Sequence, residues 1–235
     1  MRRLLSVTVF TAASFVGLVS PASATGALVV GDGVLYQDCR EHPYSFSVQP
    51  PPGTDSWSMD VTAYGPDGTS QASDFVYDDI STGTGGLQFC GSEMSGRYEL
   101  VAEIEYSDYD SDGSGTTTER LTSAFSMRKP SSRTRLRVST RNPRYNSAVR
   151  FTIKTSDERP SGYFATSYAE VRLQRRVGAR WVNVKGGKGF TDSRGRDVLT
   201  FRWNTRGRFA VRAVTLESAK LEGSTSAPIT LRTSR

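Results

Sequence analysis

The chain has 235 residues, 30 Lys+Arg against 24 Asp+Glu, 36% hydrophobic side chains and 22 glycines. That length suits two ordinary domains and exceeds one small one. Two cysteines exclude a disulfide-dense scaffold or a four-cysteine zinc site, and a single histidine excludes a metal centre needing two or three imidazoles from this chain.

In chain order, residues 1–24 read as a cleaved signal peptide. Arg2 and Arg3 form a basic start, Leu4 to Val19 is apolar, and Ala22-Ser23-Ala24 offers a small-x-small cleavage site before Thr25. A membrane anchor is the competing reading, but Ser6, Thr8, Thr11 and Ser14 make the stretch short and polar for a span. No cysteine lies near the cleavage site to carry a lipid and no second apolar run follows, so the expected location is secreted, outside the cell. Export puts Cys39 and Cys90 in an oxidising compartment, which favours a disulfide over the alternative of two free buried thiols. Closing a loop of about 50 residues is worth roughly 4 kcal/mol on the chain-entropy argument. His42, beside Pro43, is expected as a surface residue in a turn-like stretch.

Charge divides the remainder. Residues 25–128 hold 17 acidic and 4 basic side chains, net −13, whereas residues 129–235 hold 7 acidic and 24 basic, net +17. The change falls at Arg128-Lys129-Pro130-Ser131-Ser132, which is polar and carries a strand-breaking proline. The expected division is therefore an acidic unit over 25–128 with one disulfide, a linker over 129–132 and a basic unit over 133–235, each unit the size of one β-sandwich.

Both units alternate. Trp57, Met59, Val61 and Ala63 share one face against Ser58, Asp60 and Thr62, and Tyr98, Leu100, Ala102, Ile104 and Tyr106 share one against Glu99, Glu103 and Glu105. In the basic unit Val149, Phe151 and Ile153 alternate with Arg150, Thr152 and Lys154; Val171 and Leu173 with Glu170, Arg172 and Gln174; Leu199, Phe201 and Trp203 with Thr200 and Arg202. A period of two predicts half-buried antiparallel strands. Turns are expected at Gly65-Pro66-Asp67-Gly68, at Gly83-Thr84-Gly85-Gly86 and at Asp192-Ser193-Arg194-Gly195. No helical stripe is read after the leader. Gly96-Arg97-Tyr98-Glu99-Leu100-Val101-Ala102 matches Gly207-Arg208-Phe209-Ala210-Val211-Arg212-Ala213 at a spacing of 111 residues, which predicts two copies of one fold.

Gly96-x-Tyr98 entering a long strand resembles the tyrosine-corner strand of immunoglobulin-like sandwiches. Val171 to Arg176, then Gly178-x-x-Trp181, then Thr191-Asp192-Ser193-x-Gly195-Arg196, resembles the Ig-like domains of bacterial secreted and surface proteins. The likeness covers 133–235 well and 26–128 more weakly. It implies an all-β chain, two tandem Ig-like antiparallel β-sandwiches after a cleaved signal peptide. It implies an exported binding or spacer role at the cell envelope and no catalytic residues. Leu100 stands where an antibody domain has its second bridging cysteine, so a Cys39–Cys90 bridge would pin strand edges or loops, and Phe209 replaces the corner tyrosine in the second copy.

Two features carry possible chemistry. Asp108-x-Asp110-x-Asp112-Gly113 with Glu119 five residues on satisfies a calcium-loop pattern, with Asp108, Asp110, Asp112, Ser114 through its carbonyl, and Glu119 as ligands. Its strand-like flanks and Gly115 also fit a plain acidic hairpin tip. The second feature is cationic: Arg135, Arg137, Arg150, Lys154, Arg172, Arg175, Arg176, Arg202 and Arg212 predict a polyanion-binding surface. Anionic wall polymers such as teichoic chains, anionic lipid headgroups and extracellular nucleic acid are candidate ligands, and another envelope protein is a candidate partner. Docking of the basic unit on the acidic one is the rival use of this charge. Trp181, Tyr163, Phe164 and Tyr168 are candidates to stack on sugars or bases. No Gly-x-Ser-x-Gly elbow, phosphate loop or His-Glu-x-x-His motif is present, and Asp78-Asp79 and Glu103/Glu105 are poor glycosidase pairs, so no catalysis is expected. A secreted hydrolase is the alternative, as is an enzyme inhibitor presenting Pro50-Pro51-Pro52-Gly53.

Overall fold

Every second side chain of the long strands turns inward, as the alternation requires. The computed structural model describes residues 26–77, 80–109, 115–204 and 206–233; the expected leader 1–24, Asp78-Asp79, and Asp110, Asp112 and Ser114 lie outside them. Among the described residues there is no helix, and none long and apolar enough to cross a membrane.

The first sandwich has two sheets. β1 (Ala27–Val30), β3 (Arg40–Ser47) and β6 (Thr82–Phe89) form one, in the order β1-β3-β6. β2 (Gly33–Val34), β8 (Gly115–Arg128), β7 (Gly96–Asp108), β4 (Ser56–Tyr64) and β5 (Ser70–Tyr77) form the other, in the order β2-β8-β7-β4-β5. The leading segment serves both sheets: β1 runs antiparallel to β3, then β2 runs parallel to β8. This is an immunoglobulin-like arrangement. Between the sheets lie Tyr44, Phe46, Trp57, Met59, Val61, Leu87, Phe89, Tyr98, Leu100, Ile104 and Phe125.

Three local features fasten this core. Cys39 and Cys90 are bonded, one residue before β3 and one after β6, so the bridge staples the ends of neighbouring strands. Asp74 on β5 reaches across to the other sheet, accepting from the buried Tyr44 hydroxyl (2.9 Å) and from the Gly86 amide (3.1 Å). The Tyr98 hydroxyl donates to the Met94 carbonyl at 2.6 Å, which closes the tyrosine corner. Burial pushes that phenol up to about 12, so it remains a donor across the physiological range.

The second sandwich repeats the plan. β10 (Ser147–Arg159) carries β9 (Ser132–Val138) along one edge and β14 (Arg196–Trp203) and the short β11 (Gly162–Ala165) along the other. The facing sheet runs β13 (Arg180–Phe190), β12 (Glu170–Val177), β15 (Gly207–Thr215), with β16 (Ser224–Thr225) and β17 (Ile229–Thr233) sharing the far edge of β15. β15 therefore holds the place of β7. Each of these strands starts on a glycine at positive φ, 150° at Gly96 and 100° at Gly207, where a side chain is disfavoured. Phe209 has no hydroxyl to close a corner; it stacks on Trp203 instead, rings 4.7 Å apart. The apolar core is smaller, centred on Val149, Phe151, Leu173, Val211 and Leu231, and is extended by a buried hydroxyl cluster in which Thr215 bonds Thr134 (2.6 Å) and Thr155 (2.9 Å).

Two expectations are corrected. Gly83-Thr84-Gly85-Gly86 is not a turn but the middle of β6, paired with β3 throughout. The glycines are needed there because the Tyr44 ring and the Glu41 side chain lie where Cβ atoms would stand on Gly85 and Gly86. His42 and Pro43 lie in β3 rather than in a turn. β1 pairs with β3 only from Tyr44 onward, so the missing proline N–H leaves no rung unmade on that side. His42 is half-buried, donates from Nε2 to the Gly31 carbonyl (2.8 Å) and stacks on Phe125.

Replacing Tyr98 by Phe leaves the part-buried hydrogen bond to the Met94 carbonyl unmade. The expected loss is about 1–2 kcal/mol, read as a lower denaturant midpoint at unchanged slope. An unchanged midpoint would show that the corner bond contributes nothing.

Candidate polyanion-binding face

The outer face of β9, β10 and β14 is built from alternate positions of three adjacent strands. Strand parity sends Val149, Phe151 and Ile153 inward and Arg150, Thr152 and Lys154 outward. β9 adds Arg133, Arg135 and Arg137, and β14 adds Arg196 and Arg202. Lys154 is paired with Arg135 on one side and Arg196 on the other, so three cations stand abreast across the sheet. Directly opposed like charges are destabilising in a free sheet. Among the described residues none of these seven cations is in an ion pair. Arg133 lies over the Tyr163 ring, 3.5 Å from its centroid.

Two carboxylates at the margin of this face are engaged by other donors: Asp192 accepts from the Arg194 and Arg196 amides, both at 2.9 Å. Glu158 takes a bidentate pair from Arg128 (2.8 Å to each oxygen) and accepts from the Ser131 amide and hydroxyl at 3.1 and 2.7 Å. These donors, Arg128 first, hold Glu158 down at about 2, against an ordinary value near 4.5. Arg128 ends β8 and Glu158 lies in β10, so the pair spans the segment joining the sandwiches. Lys129 adds a second tie, to Glu217 (2.9 Å) and the Ser218 carbonyl (2.8 Å).

The sequence-derived cations therefore separate. Arg135, Arg137, Arg150, Lys154 and Arg202 share this face, and sequence reasoning omitted Arg133 and Arg196 from it. The i, i+2 run Arg133-x-Arg135-x-Arg137 was the available signal for the first. Arg172, Arg175, Arg176 and Arg212 belong to the opposite sheet. There Arg172 pairs with Glu170 (2.8 Å), Arg212 donates to Gln174 (2.9 Å) and covers Trp181, and Arg176 donates to the Gly178 carbonyl (3.1 Å).

Of the calcium-loop residues, only Asp108 and Glu119 are described. Asp108 pairs with Gly115 at the hairpin end; Glu119 sits four rungs down, opposite Ile104, and its Oε2 accepts from the Tyr106 hydroxyl at 2.6 Å. Among the described residues no group of three or more His, Cys, Asp or Glu side chains is placed to hold a metal ion. Glu103 and Glu105 point outward from β7, with Arg120 at 3.7 Å from Glu103. Pro50 to Gly53 joins β3 to β4 through a turn closed by Thr54, whose hydroxyl donates to the Pro51 carbonyl (2.8 Å).

No protein-family model and no curated protein matches the chain. Among solved structures it aligns with the D0-D1 domain of intimin (15% identity, 88% of this chain and 100% of that one, TM-score 0.31). It also aligns with the D00-D0 domain of intimin (12%, 88% and 99%, TM-score 0.33) and with a tetra-tandem repeat in the extending region of a large adhesion protein (11%, 88% and 50%, TM-score 0.36). Superpositions this loose carry nothing about function; the immunoglobulin-like assignment rests on strand order.

Glu158 has a depressed pKa in the folded state, so its contribution to stability is present above about 4.5 and is lost as pH falls through about 2. Glu158→Gln should cost on the order of 1 kcal/mol at neutral pH, discounted because Arg128 is half exposed. The gap from the unmodified protein should shrink below pH 4.5 and close near pH 2 in denaturant melts. A pH-independent gap would assign the loss to packing.

Proposed function

We propose that the chain is an exported, non-catalytic binding module whose second sandwich lays a cationic sheet face against an extended polyanion of the cell envelope. The observation that carries this reading is the row Arg135, Lys154 and Arg196, with Arg133, Arg137, Arg150 and Arg202 around it on one outer sheet face. Three cations abreast repel one another, and a chain of phosphates or carboxylates laid across them relieves that repulsion while releasing its counterions. Arginine favours this use because its planar guanidinium binds phosphate and carboxylate through paired hydrogen bonds. The disulfide fits an oxidising exterior. A non-catalytic role fits the carboxylates at the cavity beside β12: Asp157, Glu170 and Glu217 each already face a cation, at 3.1, 2.8 and 2.9 Å.

Long-chain inorganic polyphosphate serves as the probe. Arg135→Ala/Lys154→Ala/Arg196→Ala should weaken binding at low salt by about tenfold or more and reduce the slope of log affinity against log salt by about 2. Arg172→Ala/Arg176→Ala/Arg212→Ala, on the opposite sheet, should leave binding within about twofold. Equal losses in the two variants, or no binding by the unmodified protein at low salt, would end this reading.

A further inference from the structure

Tyr168 is a bulky residue in the left-handed backbone region, φ 57°, and is 81% exposed. Only glycine, and less often asparagine or aspartate, adopts this conformation readily. The strain is held by Thr191, itself 1% exposed. The Tyr168 amide donates to the Thr191 carbonyl (2.8 Å), and the Thr191 amide donates to the Ala169 carbonyl (3.0 Å). The Thr191 hydroxyl donates to the Thr166 carbonyl (2.6 Å) and accepts from the Ala169 amide (2.9 Å). Four bonds thus fix a loop that projects a ring into solvent without packing it. Strain retained in this way marks a position kept for something other than stability.

The ring borders a cavity of about 420 Å³ at the end of the second sandwich, where the loop before β12, the end of β13 and the segment after β15 meet Pro130 and Gln37. Phe190, 55% exposed, lines the same space. So do three carboxylates. Asp157 is held by Arg159 (3.1 Å) and Thr166 (2.7 Å), Glu170 by Arg172 (2.8 Å) and Lys188 (3.1 Å), and Glu217 by Lys129 (2.9 Å). An anionic ligand would meet three carboxylates against Lys220, the single cation among the described lining residues, and a cationic ligand would find each carboxylate paired already. What remains is a set of oriented acceptors with unused lone pairs beside two exposed aromatic faces.

We infer that this cavity binds a neutral sugar ring, whose hydroxyls donate to the oriented carboxylates while its C–H face lies on Tyr168 or Phe190. Hydroxyl-to-carboxylate bonds are the stronger, charge-assisted kind, and a cavity of this size with a few converging polar groups is the usual form of a small-ligand site. The cationic face on β9, β10 and β14 takes no part, so the inference stands apart from the polyanion reading.

The test is saturation-transfer NMR on the whole chain, using methyl glycosides of neutral hexoses, with glucuronate and choline as charged comparators. Neutral hexosides should receive transfer at their ring protons, and the comparators much less. Tyr168→Gly separates binding from folding, because glycine accepts φ 57° without strain. This variant should melt no lower than the unmodified protein and should bind hexosides about tenfold more weakly, the usual worth of a stacked ring. The inference fails if hexosides show no transfer at millimolar concentration, if choline or glucuronate exceeds them, if Tyr168→Gly binds equally well, or if it melts at a lower temperature.

Discussion

A sheet in a sandwich can bury only one of its faces, and the rest of this molecule is arranged around that constraint. On β10 it sends Val149, Phe151 and Ile153 into the core and commits Arg150 and Lys154 to water. On β7 it does the same with Tyr98 to Tyr106 against Glu99, Glu103 and Glu105. Charge has nowhere else to go, so each sandwich wears its net charge as a coat on two outer faces. A mild overall balance of +6 thereby becomes two strongly opposed halves. The segment between them is fastened where they meet, since Arg128 and Lys129 reach into the second sandwich and find Glu158 and Glu217.

The two sandwiches share a strand order but reach stability differently. The first has the larger apolar core, a disulfide, the Asp74 cross-tie and the corner tyrosine. The second substitutes a stacked Trp203–Phe209 pair for the corner bond and completes its interior with threonine hydroxyls that satisfy one another. It also tolerates a non-glycine residue in the left-handed region at Tyr168 and a row of like charges across its sheet. Both are unfavourable for the isolated fold, and both occur in the basic half.

Parity along a strand is legible from sequence, because inward and outward positions differ by chemistry; hence the strands, their buried faces and the outward arginines were readable. Which of two sheets a strand joins is not written in its parity. For that reason Arg172 and Arg212 were grouped with Arg135 and Arg150 although a whole sandwich thickness separates them. Gly83 to Gly86 misled for a related reason: glycine marks a turn when it supplies a positive φ, but here it supplies room for Tyr44 and Glu41 across an ordinary extended strand. The calcium-loop pattern of Asp108 to Glu119 is one of spacing, and Asp110, Asp112 and Ser114 lie outside the described residues. Spacing does not show the register that sets Glu119 opposite Ile104, four rungs from the Asp108–Gly115 pair.

The parallel run of β2 beside β8 has a mechanical consequence. Tension applied along the polypeptide enters the first sandwich through its leading segment and leaves through the end of β8. The contacts between these parallel strands are then loaded in shear together rather than unzipped one at a time. Should that sandwich nonetheless yield, the Cys39–Cys90 link, spanning 51 residues of sequence, withholds its loop from the pull. At about 3.4 Å per residue, roughly 170 Å of slack never becomes available. The disulfide thus sets a limit on how far the first sandwich can be drawn out.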